Sequence, residues 1–144
     1  MDKKHIVWEI CRIAREHRKL VEKRICSLGI HPSQHHFLMY LSRHGACSQN
    51  SIAEAMEVSA STVAVSLKKL EKGGYIEKQS SPEDCRSNRI VLTQKGEEVV
   101  VKSRCLFEEV DRQMFESITE EQQEQLHGYM EQILNNLRGL DEQE

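Results

Sequence analysis

Two short helix signals follow each other between residues 48 and 72, separated by a tight turn. Ser48 is a favourable N-cap for a helix through Met56, and Ser59 is a favourable N-cap for a second helix through Lys72. A pair of glycines then ends the second helix. Two capped helices joined in this way are typical of a helix-turn-helix, and the side chains that the second helix exposes decide whether it can read DNA.

The second helix has an apolar side and a mixed side. At 100° per residue, Val63, Leu67 and Leu70 lie together and predict the buried side. The opposite side offers small and hydroxyl-bearing residues that allow close approach to base edges, followed by lysines that reach phosphates, and this fits the major groove of DNA. Any exposed helix can also show serine and lysine, so this helix alone leaves both interpretations open. The outward-facing and flanking residues are Ser61, Thr62, Ala64, Val65, Lys68, Lys69 and Lys72.

The only strand signal in the sequence lies directly after the glycine pair. YIEKQ begins with alternating apolar and polar residues, SSPED has turn chemistry and RIVLT is rich in β-branched residues, which together predict a hairpin. Arg86 at its tip can enter the narrow minor groove, Asp84 can fix the rotamer of that arginine, and Arg89 can contact a flanking phosphate. The hairpin is therefore interpreted as the wing of a winged helix.

Amphipathic helices flank this region on both sides. The first ends at Gly29, a second begins at Pro32, a long helix follows Thr93 and the last opens at Thr119. The first and last helices carry more apolar surface than the part of the chain between them can cover, so we expect a partner chain to bury it. Two-fold symmetry then places two recognition helices about 34 Å apart, which predicts a palindromic target.

Composition excludes several classes of protein. With 30% charged and 38% hydrophobic residues the chain is expected to be helix-rich, and it shows neither a membrane-length apolar run nor a secretory signal, so we expect a cytoplasmic protein. No phosphate-binding loop, nucleophile elbow or zinc-protease motif is present, which disfavours an enzyme. Residues 116–144 contain eight acidic residues and one basic residue. Although the whole chain has a net charge of −3, the remaining residues therefore carry a net positive charge that could bind a polyanion.

Three stretches, PSQHHFLMYL, SIAEAMEVSASTVAVSLKKLEKGGYIEK and PEDCRSNRIVLTQKG, resemble the MarR family of bacterial transcriptional regulators. The resemblance implies one mainly α-helical domain over 1–144, with a winged helix-turn-helix and β-hairpin wing in 30–96 and dimerisation helices in 1–29 and 97–144. It also implies a homodimer, commonly a repressor, whose recognition-helix spacing and DNA affinity change when an effector binds. The DNA-binding candidates are Ser48, Gln49, Ser59, Ser61, Thr62, Val65, Lys68, Lys69, Asp84, Arg86 and Arg89.

Two residues depart from the family pattern. Glu57 stands in the turn between the short helices where a glycine or asparagine is usual, so either a positive φ costs about 1 kcal/mol there or the turn is built differently. His31 stands where a serine or threonine usually caps the second helix. That cap is either weaker or made by the imidazole.

Histidines are dense near the junction where the resemblance implies an effector site. His17 and His35 could contact an anionic organic ligand, or a metal could bind with Cys26 or Glu108, although the histidine pair of zinc-sensing relatives is absent. Ordinary polar or capping histidines are the simpler interpretation, and no metal or cofactor is predicted. The candidate effector residues are Cys11, Arg15, His17, His35, His36 and Met39.

The five cysteines form no C-x-x-C pair and are expected to be reduced thiols. Cys11 and Cys85 are candidate redox sensors. Oxidation of Cys85 would add bulk and charge beside Arg86. For each of the two, an ordinary surface or space-filling thiol is the simpler interpretation.

Two alternatives remain open for the whole chain: a metal-responsive member of the same family, and a winged-helix interaction module that does not bind DNA. A steep fall of DNA affinity with salt would separate the last from a DNA-binding protein.

Overall fold

The computed structural model describes residues 2–80 and 88–141, apart from the side chains of Asn88 and Asp141. Residues 1–107 and 108–144 form two compact units, and the division into a DNA-binding lobe and dimerisation helices stays a prediction. The expected class, mainly helical with a small β-hairpin wing, is confirmed. The described elements are α1 (Lys3–Cys26), α2 (Pro32–His44), β1 (Cys47–Ser48), α3 (Gln49–Met56), α4 (Ala60–Lys72), β2 (Ile76–Ser80), β3 (Asn88–Leu92), α5 (Gln94–Met114) and α6 (Glu120–Asp141).

The helix caps follow the sequence signals. At Ser48, Ser59 and Thr119 the side-chain oxygen accepts a hydrogen bond from the amide three residues later, at 3.1, 3.2 and 3.3 Å. The two predicted N-caps and the predicted start of the last helix at Thr119 are therefore confirmed. At His31 the imidazole makes the cap, because its Nδ1 accepts from the amide of Ser33 at 3.2 Å. Of the two alternatives for His31, a cap made by the ring is therefore the one that the protein uses.

The sheet is antiparallel, in the order β1–β3–β2. Residues 76–80 pair with residues 88–92, which confirms the hairpin, while the turn residues 81–87 lie outside the described chain. The two-residue strand β1 pairs with Arg89 and Ile90 and adds a third strand that the sequence did not signal. Two residues are too few to show the alternation by which a strand is recognised.

The core of the first unit fixes the orientation of α4. Its inner side packs against side chains from α2, α3 and the sheet. Burying each large aliphatic side chain contributes roughly 1.5–3 kcal/mol, so this side of α4 cannot rotate outward without a large loss of stability. The fully buried aliphatic residues are Leu38, Leu41, Ile52, Val63, Leu67, Leu70, Ile76 and Ile90.

The turn between α3 and α4 contains a left-handed residue that is not glycine. Glu57 has φ 53° and ψ 40°, and no other non-glycine residue of the described chain has a positive φ. The first of the two alternatives for this turn is therefore correct. Residue 57 has the left-handed conformation that is usual in this turn, and for a residue with a Cβ this conformation costs about 1 kcal/mol.

We expect Glu57→Gly to raise the free energy of unfolding by about 0.5–1 kcal/mol, because glycine adopts this φ without a Cβ clash. Part of the gain is lost because glycine also increases the conformational entropy of the unfolded chain. Urea unfolding followed by circular dichroism measures the change. Glu57→Ala is the matched control, since it removes the same side chain but keeps the Cβ. If both variants gained equally, the side chain and not the backbone would be the source of the effect.

Candidate nucleic-acid interface and ligand cleft

Helix α4 presents the mixed side to solvent. Val63, Leu67 and Leu70 are buried, whereas the outward-facing residues from Ser61 to Lys72 are exposed. Val65 keeps 57% of its surface exposed. An aliphatic side chain held in this position gains little from folding, but it can make an apolar contact with a thymine methyl group.

Three hydroxyl groups meet at the N-terminus of α4. Ser59 Oγ lies 2.8 Å from Thr62 Oγ1 and 3.0 Å from Ser61 Oγ, and it already accepts from the amide of Thr62. Because Ser59 has one proton to donate and one lone pair left, it can serve one neighbour as donor and the other as acceptor. In either arrangement Ser61 or Thr62 keeps a hydroxyl proton for an acceptor outside the protein.

The other DNA-binding candidates lie on α3, on β1 and β3, and further along α4. Gln49 Nε2 donates to the carbonyl of Ala60, the first residue of α4, at 3.5 Å. Ser48 pairs with the exposed Arg89 across β1 and β3. Lys68 and Lys69 lie about 12 Å further along the axis of α4. Asp84 and Arg86 fall outside the described residues.

Two helices expose apolar side chains over much of their length. On α1 and on α6, large aliphatic and aromatic residues remain between about a third and two thirds exposed. Exposure on this scale is uncommon for a chain that has no partner. The residues concerned are Ile6, Val7, Trp8, Ile10, Ile13 and Leu20 on α1, and Leu126, Tyr129, Met130, Ile133, Leu134, Leu137 and Leu140 on α6.

A cleft of about 870 Å³ lies between α1 and α2 in the first unit. Arg18 and Arg43 contribute positive charge to it, against the single carboxylate of Glu22. Much of the remaining lining is apolar, and it reaches Phe107 and also Met56 at the end of α3. A lining that combines two exposed arginines with apolar side chains suits an organic anion with an apolar body.

The cleft contains four of the six candidate effector residues: His17, His35, His36 and Met39. Cys11 and Arg15 do not line it and are exposed elsewhere on α1. The sequence analysis missed Arg18 because basic residues occur on most sides of α1, and it missed Arg43 because nothing near the end of α2 shows that α1 packs beside it. The helical spacing of Ala14, Arg18 and Val21 was the available signal for the side of α1 that faces the cleft.

His35 is the buried polar residue of this cleft. Its side chain is 3% exposed, its ring lies 5.7 Å from that of Phe107 and 6.2 Å from that of His36, and its Nε2 has no hydrogen-bond partner within the described chain. Burial, with a smaller contribution from His36, lowers the pKa of His35 from 6.5 to about 4. The ring is therefore neutral at neutral pH, and its unpaired nitrogen costs roughly 1–3 kcal/mol.

Thiols and possible metal ligands are dispersed. Cys11, Cys26 and Cys105 are exposed, Cys47 is half-buried, and Cys85 lies outside the described residues. In residues 2–80 and 88–141, no three histidine, cysteine or acidic side chains come together in a way that could hold a metal ion. Over the same ranges, no helix combines the length and the apolar character that crossing a membrane requires.

The helix-turn-helix of α3 and α4, followed by the hairpin of β2 and β3, defines a winged-helix protein, and the exposed side of α4 has the composition of a DNA-reading helix. The sequence model of the MarR family matches residues 28–87. The chain is 31% identical over 113 residues to the HTH-type transcriptional regulator BilQ of Clostridium symbiosum (strain WAL-14163), across 78% of this chain and 76% of that protein. The chain belongs to the MarR family of transcriptional regulators.

Solved structures agree with this assignment. A single-site mutant of S. aureus MepR is 25% identical and superposes with a TM-score of 0.85, covering 95% of this chain and 99% of that one. The S. aureus MepR–DNA complex is 26% identical with a TM-score of 0.79, covering 91% and 98%. Because its relatives are transcriptional regulators, the expectation that this chain is not an enzyme is confirmed.

Proposed function

We propose that the chain acts as a homodimeric repressor that binds a palindromic operator and releases it when a small-molecule or redox effector acts on it. The observation that carries the proposal is the exposed side of α4, where small and hydroxyl-bearing residues precede lysines. The MepR–DNA complex, in a relative with the same fold, supports DNA as the partner.

The proposed division of labour on DNA follows from side-chain chemistry. Ser61, Thr62 and Val65 meet base edges in the major groove, where a free hydroxyl and an exposed methyl pair can discriminate between bases. Lys68, Lys69 and Arg89 reach phosphates, as do Ser48 and Gln49 at the N-terminus of α3, where unpaired amides favour negative charge. Ser59, whose hydroxyl proton is used within its own cluster, contributes by holding Ser61 and Thr62 in place. Arg86, held by Asp84, enters the minor groove from the wing.

The apolar sides of α1 and α6 support a dimer. Each helix exposes a row of large apolar residues that a second copy of the chain would bury. A two-fold axis would then set two α4 helices about one turn of DNA apart, roughly 34 Å, and the operator would share that symmetry. One duplex would contact both copies, which raises affinity through two linked sites.

The proposed effector site is the cleft between α1 and α2. An organic anion there would touch α1 and α2 and also Met56, whose neighbour Glu57 begins the turn of the helix-turn-helix. A ligand that favours one placement of these elements shifts the population toward it and so changes DNA affinity. Oxidation of Cys11 or Cys85 is the second route, with the exposed thiol of Cys11 open to oxidants.

The test is selection of bound fragments from random DNA, followed by titration of a selected duplex at several salt concentrations. We expect a palindromic site, a steep fall of affinity with salt, and a free protein that sediments as two chains. Arg86→Ala is expected to weaken binding by about 1–3 kcal/mol, because it removes the minor-groove contact. Repeating the selection with candidate organic anions and with peroxide would identify the effector by loss of bound fragments.

Arg138→Ala is the matched control, since it removes one arginine from the acidic C-terminal segment and is expected to leave affinity unchanged. An Arg86→Ala protein that binds as tightly as the wild type would contradict the assigned role of the wing. Failure to retain any duplex at low salt would favour the alternative, a winged-helix module that binds another protein.

A further inference from the structure

The last turn of α4 ends in a compact cap. The amide of Tyr75 donates to the carbonyl of Leu70 at 3.0 Å, and the amide of Gly74 donates to the carbonyl of Glu71 at 2.9 Å, with Gly74 at φ 77°. This pair of bonds is a Schellman motif, in which a left-handed glycine closes the helix. The carbonyls of Gly73, Gly74 and Tyr75 follow the cap and have no partner within α4.

Residues that follow β3 donate hydrogen bonds to all three carbonyls. Lys95 Nζ donates to the carbonyl of Gly73 at 2.6 Å, Thr93 Oγ1 donates to that of Gly74 at 2.6 Å, and the amide of Thr93 donates to that of Tyr75 at 3.1 Å. These three bonds are here named the α4–α5 link. They join the end of α4 to the start of α5 across 18 to 22 residues of chain.

The hydroxyl of Thr93 has two uses at once. Besides donating to the carbonyl of Gly74, it accepts from the amide of Gly96 at 3.2 Å and so caps α5. Serine can make both bonds, whereas valine, with the same shape, can make neither. The ammonium of Lys95 also lies 4.4 Å from the ring centroid of Tyr75, which adds a cation–π contact to the link.

We infer that Thr93, supported by Lys95, is a positioning residue for DNA recognition, because its hydrogen bonds fix the C-terminal end of α4 relative to the first turn of α5. Base readout depends on the placement of side chains within hydrogen-bond distance of base edges, while phosphate attraction tolerates small shifts. Loosening the link therefore lowers specific affinity more than non-specific affinity. This inference rests on the proposed role of α4 in reading DNA.

The test compares Thr93→Val with Thr93→Ser on a selected operator and on a scrambled duplex, at a temperature where both variants are fully folded. We expect Thr93→Val to reduce the ratio of specific to non-specific affinity about tenfold, the size of one lost base contact, and Thr93→Ser to retain the wild-type ratio. Thr119→Val is the matched control, because it removes another N-cap hydroxyl, at α6, and is expected to lower thermal stability without changing the ratio.

Lys95 is tested separately, because a lysine could also contact a phosphate. Lys95→Met is expected to reduce the ratio about threefold while the slope of log affinity against log salt stays at the wild-type value. Lys102→Met, on the exposed surface of the same helix, is the control for loss of one charge. A slope smaller by about one would instead make Lys95 a phosphate contact and overturn its place in the inference.

Affinities of the wild type and of Thr93→Val for specific and scrambled duplexes distinguish a wrong inference from a wrong proposed function. If the wild type showed no preference for any duplex, the proposed function would be lost. If the wild type discriminated well and Thr93→Val discriminated equally well, with only a lower melting temperature, Thr93 would be an ordinary helix cap and the inference would be wrong.

Discussion

Gly96→Ala is expected to lower the free energy of unfolding by about 3 kcal/mol or more, or to prevent folding. Gly96 is buried at the start of α5, and a Cβ there would collide with the carbonyl oxygen of Tyr75 and lie 3.1 Å from its carbonyl carbon. That carbonyl cannot move away cheaply, because it accepts from the amide of Thr93 at 3.1 Å. Urea and thermal unfolding followed by circular dichroism measure the loss.

Gly128→Ala provides the control for a glycine inside a helix. A Cβ at Gly128 meets no described atom within 4 Å, so the only expected effect is the better helix propensity of alanine, about 1 kcal/mol of added stability. The opposite signs of the two substitutions would separate close backbone packing from propensity. A Gly96→Ala protein with an unchanged unfolding midpoint would mean that Tyr75 and α5 can move apart without loss.

Local signals explain why much of the fold was predictable from the sequence. A cap needs a side-chain oxygen and an amide three residues later, so Ser48, Ser59 and Thr119 could be read directly from the chain. The buried side of α4 likewise follows from helical spacing alone. At Glu57 the sequence left two alternatives, since a propensity cannot decide whether packing will outweigh a local cost. At His31 it also left two, since residue type alone does not fix whether the ring nitrogen reaches the amide that needs a cap.

Contacts between distant residues explain what sequence analysis missed. The strand β1 exists because β3 offers it unpaired backbone groups, and nothing within residues 47 and 48 signals this. The α4–α5 link depends on Thr93 and Lys95 returning to the end of α4 after the hairpin. The cleft shows the same limit: the histidines were found by residue type, but which side of α1 faces them depends on how α1 packs on α2.

Acidification is expected to destabilise the protein through His35. Its pKa is 6.5 in an unfolded chain and about 4 in the folded protein, chiefly because burial disfavours the charged ring. Between these values the unfolded chain binds the proton and the folded chain does not, so stability falls as the pH is lowered from about 6.5 toward 4. The loss from this residue approaches about 3 kcal/mol and is nearly complete once the pH is below 4.

Comparison with His35→Leu isolates this contribution from that of other titrating groups. Leucine fills a similar volume and removes both the titrating ring and its unpaired nitrogen, so wild type and variant should differ in free energy of unfolding by about 3 kcal/mol more at pH 4 than at pH 7. His36→Asn is the control: His36 is exposed and is the smaller cause of the lowered pKa, so most of the dependence should persist without it. If the free energies of unfolding of wild type and His35→Leu changed in parallel between pH 7 and pH 4, His35 would bind its proton equally well in the folded and unfolded chain. The cleft would then solvate the charged ring.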